Sequence, residues 1–290
     1  MKKTESKRSV TRLLVVSSVI AALLLMVTNS AIWFNKQIFD SANFTNTAVT
    51  AVTSVSSRQA IGARITDELL ANRPLVKNVA GDQITNVISG LLGTDQAERL
   101  LTAAVSRMQV YVTSSDQQDV AIDLSGIKPT ISQIASVLNT DRANNLDTNK
   151  IPDNLVLVQA QNVPDLYSYG VVLSWLAPIS AIGALALFAL PYYKDRSKYK
   201  LILSVQAAAI AVAGLLSLLV GPLFRPMALQ PFQNVNGRAV VANIYDAFIQ
   251  TFNSQSMVLI YLGLLVGIVA IGTWSYPVVQ AQIKKRSGNK

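Results

Sequence analysis

Four stretches of the chain contain no Asp, Glu, Lys or Arg: residues 13–34, 169–190, 201–224 and 257–279. They hold 22, 22, 24 and 23 residues. A bilayer-spanning helix needs about 20 predominantly apolar residues. The pattern therefore predicts a membrane α-helical protein with four transmembrane helices. Residues 35–168 lie between the first two, long enough at 134 residues to build a core of their own. Residues 225–256 separate the last two.

The segment 35–168 reads as mainly helical, with a small α+β part. From Phe44, apolar residues recur at Val49, Val52, Val55, Ile61, Ile65, Leu69 and Leu70, a helical spacing of three or four. This helix is expected to extend the first membrane helix outward. A break is predicted at Asn72-Arg73-Pro74, since proline disfavours helix in the residue before it. A second helix is predicted over 82–92. A third starts at Thr94-Asp95, with an apolar face of Leu100, Leu101, Ala104, Val105, Met108, Tyr111 and Val112. Leu101, Val105 and Met108 are expected to be buried.

The period then changes. Residues 120–124 alternate like a short strand, and 155–158 form a second strand candidate. Between them Pro129 opens a stripe of Ile131, Ile134, Val137 and Leu138, so a small β-α-β pairing is expected. Val163-Pro164-Asp165 starts a helix that runs into the membrane.

In 225–256, Arg225-Pro226 and Gln230-Pro231 predict an irregular start. Val240, Val241, Ile244, Tyr245, Phe248, Ile249 and Phe252 then form an amphipathic helix. It either lies on the bilayer or docks on the larger domain. Its polar face lacks the Lys and Arg of a surface-bound helix, which favours docking.

Charge fixes the orientation. Segments 1–12, 191–200 and 280–290 hold 13 bases and two acids, while the rest of the chain holds 12 bases and 14 acids. The net charge of +9 is thus a positive-inside signature and gives no reason to expect nucleic acid as a partner. It predicts a cytoplasmic N-terminus (1–12), loop (191–200) and C-terminus (280–290), with 35–168 and 225–256 outside. The first apolar run is too long for a cleaved signal peptide. It ends on Trp33-Phe34, an interfacial aromatic pair, so it reads as an uncleaved anchor.

The chain has no cysteine and no histidine. An external domain without disulfides suits a bacterial cytoplasmic membrane and envelope. Thiol catalysis, histidine triads, haem ligation and ordinary zinc sites are excluded. There is no P-loop, dinucleotide fingerprint or nucleophile elbow. Asp116, Asp119 and Asp123 cluster near the first strand but lack the EF-hand order, so they read as a solvated turn rather than a calcium site. No catalytic, cofactor or metal residue is expected.

The membrane runs contain no ionisable residue of the kind that coupled transporters place in a cavity. Asn29 and Gln206 are the polar groups most costly to expose to lipid, so both are expected to pack against other helices. Gly263 and Gly267 form a GxxxG that permits close helix approach within the bundle or between copies in a homo-oligomer. Pro178 is expected to kink the second membrane helix.

This arrangement resembles a group of uncharacterised actinobacterial integral membrane proteins. The shared features are the anchor ending in Trp33-Phe34, the helical segment after it, the strand at 120–124, the proline-started helix, the strand at 155–158 and three further membrane helices. The resemblance implies the fold and brings no activity or site residues. By topology alone the chain is also similar to the cell-division and macrolide-export ABC permease superfamily, although the link 192–200 is short for a coupling helix. Claudin-like proteins share the topology but need a disulfide that a cysteine-free chain lacks.

The resulting expectation is a non-enzymatic envelope protein embedded in the lipid bilayer. Its external domain is expected to bind an envelope protein, a wall component or a lipid. The alternative is an ABC-type transporter or mechanotransmission permease subunit. The internal pieces are too short for a kinase or cyclase domain.

Overall fold

The computed structural model describes residues 2–71, 74–114, 120–123, 154–158 and 166–287. Helix α1 (Lys2–Phe34) carries the first apolar run and widens into a π-helical turn, Asn35–Phe39. Asp40 is extended and ends it, and its carboxylate accepts the Asn43 N–H at 2.8 Å to cap α2 (Ser41–Val52). The outward continuation of the first membrane helix is therefore corrected: the chain turns at Asp40. It turns again before α3 (Val55–Leu69). There Ser54 Oγ donates to Ala51 O at 2.7 Å and accepts the Ser57 N–H at 3.3 Å, so one hydroxyl serves both helix ends.

Helix α4 (Pro74–Leu91) starts at the proline, not at 82. Proline has no N–H to lose in a first turn, so the residue that breaks one helix opens the next. Helix α5 (Asp95–Thr113) is capped by Thr94, with Asp95 and Glu98 in its first turn, where acids suit the helix dipole. Its expected core face is corrected. Met108 is 41% exposed, Leu101 and Val105 are only partly buried, and the buried residue at this end is Gln109.

Strands β1 (Val120–Asp123) and β2 (Asn154–Val158) pair with Val120 opposite Val158 and Asp123 opposite Asn154. The pairing is antiparallel, whereas a β-α-β unit gives parallel strands. The expected helix between them lies outside the described residues, as do Asp116 and Asp119 before β1 and the expected helix start at Val163-Pro164-Asp165.

Helix α6 (Leu166–Lys194) continues through Pro178 and Pro191. A 3-10 turn (Arg196–Lys198) leads to α7 (Tyr199–Leu218). Leu219 divides α7 from α8 (Val220–Leu229), so the run 201–224 spans two helices, and Arg225 and Pro226 are helical rather than irregular. Helix α9 (Val235–Ser287) has 53 residues. The expected amphipathic helix is its first part and is continuous with the fourth apolar run, because no proline falls between Pro231 and Pro277.

Among the described residues, four helical spans are long and apolar enough to cross a membrane: Arg12–Phe39, Tyr167–Lys194, Arg196–Leu229 and Val235–Ser275. They stand in a row. Helix α1 packs on α6 and α7, and α7 packs on α9. In their apolar windows the spans of α1 and α7 are 39% and 33% buried, against 11% and 17% for those of α6 and α9, which makes α1 and α7 the centre. Above the row, α2 and α3 pack on the first half of α9, α4 pairs with α3, and α5 lies on α2. Leu70, Ile84 and Ile88 form a small core under the α3–α4 pair.

Candidate functional site

Two regions qualify, a polar seam inside the row of long helices and a groove on the domain above it. The seam is built by α1 and α9. Asn29 donates from Nδ2 to Ser256 Oγ at 2.9 Å, and Ser256 Oγ donates onward to Phe252 O. Gln255 Nε2 donates to Asn29 O at 2.8 Å and to Asn29 Oδ1 at 3.0 Å. One turn away, Trp33 Nε1 donates to Thr251 Oγ1 at 2.8 Å, and the Trp33 ring packs edge-on against Phe252. Between α1 and α6, Thr28 and Ser180 share a hydrogen bond of 2.8 Å. Asn29 is thus satisfied on both amide atoms, which a buried amide requires in an apolar medium.

Gln206 lies between α6 and α7. Its Nε2 donates to Phe188 O at 2.6 Å, and Tyr192 OH donates to its Oε1 at 3.4 Å. Gly263 faces α7: a Cβ there would stand 2.6 Å from Ala211 N and 2.9 Å from Ala207 O. Gly267 has room, with Ala207 Cβ at 3.8 Å. Gly214 is as tight as Gly263, since its Cβ would meet Ile260 N at 2.9 Å and Ser256 O at 3.0 Å. The sequence pattern picked out one tight glycine and one loose one on α9, and it missed the tight one on α7. Asn29 meets Gln255 and Ser256, and Trp33 meets Thr251, only through the fold, because the partners are more than 200 residues apart.

The groove lies between α3 and the start of α9. Ala60, Ile61 and Ile65 form one wall, and Val240, Val241 and Phe232 the other. Arg64, Asn236 and Gly237 complete a lining around about 300 Å³. That volume is at the small end of the range for small-molecule pockets. Polar ties set the spacing of the walls at both ends. Asn243 Nδ2 lies 2.9 Å from both Ser56 Oγ and Ser57 Oγ, and Asn236 Nδ2 reaches Asp67 at 3.5 Å. Asp67 also pairs with Lys77 at 2.9 Å. The apolar periodicities of both walls are visible in the sequence, but nothing there says that they face each other.

A third feature joins the domain to the long helices. Gln109 Nε2 of α5 donates to Ile38 O at 3.0 Å and Phe39 O at 3.3 Å, carbonyls at the end of the π turn. The Phe39 ring sits on Gly170 of α6, where any Cβ would collide with it. Among the described residues no group of three or more His, Cys, Asp or Glu is placed to hold a metal ion. Comparison of the chain with protein-family models, curated proteins and solved structures finds no match.

Proposed function

We propose that this chain is a multi-pass protein of a bacterial cytoplasmic membrane, with both termini cytoplasmic, that binds a partner through an extracytoplasmic domain and performs no catalysis itself. In this reading 35–168 is the external domain, mainly helical with a small antiparallel pair, and 225–256 is the second external segment. The partner is an envelope protein, a wall component or a lipid.

The observation that carries this reading is the height of α9. Helices α1 and α6 are paired by Thr28 and Ser180, which sets Trp33 and Trp175 at one level. From Trp175 to Tyr193 the helix rises about 27 Å, close to the thickness of a hydrocarbon core. Trp175 and Tyr193 are 67% and 81% exposed, as interfacial aromatic belts are. Thr251 bonds Trp33, so the start of α9 at Val235 stands about 24 Å above that belt. The groove is about 15 Å above it. The described parts of the basic segments, 2–12, 191–200 and 280–287, fall at the other end of the long helices, which supports the orientation.

Absence of cysteine and histidine from the sequence supports a non-enzymatic role. The alternative of an ABC-type permease is disfavoured by the link between α6 and α7, which is one 3-10 turn and offers an ATPase no coupling helix.

Photo-crosslinking in the native membrane tests the reading. A photoreactive residue at Val79 or Val87, both exposed on α4, is expected to capture an extracytoplasmic partner. Capture of a cytoplasmic ATPase from Lys198, with nothing from α4, would instead make the chain a transport subunit.

A further inference from the structure

Resting on the orientation in that reading, we propose that Arg58, at the foot of the α3–α4 pair, binds a phosphate oxyanion at the external face of the membrane. Arg58 is partly buried. Its Nε is shut off from solvent and has no hydrogen-bond acceptor. Among the described residues no acid forms an ion pair with it. Asp67, on the same helix, is held by Lys77 and Asn236. Asp95 and Glu98, in the first turn of α5, are exposed and form no ion pair with it either. Nor does the arginine cap α4. Carbonyls at that end are taken by the chain's own amides: Leu92 N–H donates to Ile88 O at 3.0 Å, Gly93 N–H to Gly90 O at 3.0 Å and Thr94 N–H to Leu91 O at 3.1 Å. An unpaired buried donor on a charged group is costly, and an incoming oxygen acceptor removes that cost.

The chain leaves room for that acceptor. The guanidinium lies over Gly93, where any Cβ would collide with it. Gly93 is exposed, and a Cβ at Gly90 would meet nothing within 4 Å. Height selects phosphate. Ser57, next to Arg58, is tied to Asn243, which stands about 12 Å above Thr251 and its partner Trp33. Headgroups reach about 5–8 Å beyond the hydrocarbon core, so the guanidinium stands at the outer edge of a layer whose common anion is phosphate. Val55, one turn nearer the membrane on the same face of α3, is 61% exposed. An apolar residue below a cation suits a phospholipid, with its phosphate oxygens on the guanidinium fork.

The test uses the full chain in detergent. Thermal unfolding is measured without lipid and with phosphatidylglycerol, phosphate-free diacylglycerol or inorganic phosphate, and native mass spectrometry gives the affinity of the first bound lipid. Phosphatidylglycerol is expected to raise the midpoint of the unmodified protein, and diacylglycerol is not. Arg58→Gln is expected to lower the phosphatidylglycerol affinity about tenfold. Arg238→Gln, exposed near the top of α9, is expected to leave it unchanged. Without lipid, Arg58→Gln is expected to be no less stable than the unmodified protein, because it loses no partner. Earlier unfolding of Arg58→Gln without lipid would show that Arg58 serves the fold itself and would overturn the proposal. Equal phosphatidylglycerol affinity in Arg58→Gln and the unmodified protein would overturn it too. Stabilisation by inorganic phosphate that vanishes in Arg58→Gln, with no such effect from phosphatidylglycerol, would support the site and make soluble phosphate its source. Partner capture from Val79 or Val87 on α4 is a separate result, so loss of the Arg58 site leaves the external-partner reading standing.

Discussion

Asn29 of α1 and Ser256 of α9 meet side chain to side chain at 2.9 Å, 5% and 0% exposed, and tie the first long helix to the last. Helices α1 and α9 touch little elsewhere, so this polar layer is their main bond. Asn29→Ala leaves Ser256 without its donor and Gln255 without one of its two acceptors. The expected loss is about 1–3 kcal/mol, the cost of a buried polar group left unpaired. Adding Ser256→Ala is expected to cost less than the two single losses combined. Reversible unfolding in lipid, run as a double-mutant cycle, checks this. Additive losses would mean that the contact contributes nothing.

The glycines separate two readings of the same motif. Gly263→Ala sets a Cβ against the backbone of α7, and Gly214→Ala does the same against α9. Each is expected to destabilise by about 1–3 kcal/mol, as overpacking does. Gly267→Ala makes an ordinary contact at 3.8 Å, and alanine is the better helix former, so it is expected to be neutral or slightly stabilising. Thermal unfolding of the three variants in nanodiscs decides. Equal losses at Gly263 and Gly267 would mean that both face a close neighbour, such as a second copy of the chain.

The link between α6 and α7 has its own pH signature. The Ser197 hydroxyl donates to Asp195, and this bond is the main reason the Asp195 carboxyl lies below its ordinary range. Desolvation opposes the shift, and the hydrogen bond and charge of Lys198 assist it. A lowered folded value means that the stabilisation is fully present above the unfolded pKa and fades as pH falls through the folded one. The Ser197 amide, which also donates to Asp195 at 3.2 Å, is the reporter. Its NMR shift is expected to titrate with a midpoint below about 3.9, the unperturbed aspartate value. A midpoint at or above that value would contradict the turn geometry.

How much of this was legible beforehand follows from which signals are local. Length and apolarity exposed the four spans, because a bilayer demands about 20 apolar residues in sequence. Thr94 and Asp95 marked the start of α5 because a cap is a local device. Pro74 was read as a stop when it also starts α4, since proline suits both roles. The amphipathic stretch 240–252 looked separate because its period is helical but its polarity differs from that of the span below. Only the unbroken backbone of α9 joins them. Asn29 was singled out by the cost of exposing an amide to lipid, but its partners on α9 are set by tertiary packing. Met108 went wrong for the reverse reason: a helical stripe names a face without naming what covers it.

The central claim is that α3, α4 and the start of α9 stand outside the cell while the α6–α7 turn is inside. The chain has no cysteine, so single cysteines report without background. Val79→Cys, 84% exposed on α4, is expected to react with a membrane-impermeant maleimide on intact cells. Lys198→Cys, in the α6–α7 turn, is expected to react only after the cells are opened. Labelling of Lys198→Cys on intact cells, with Val79→Cys protected until lysis, would invert the orientation and contradict the account.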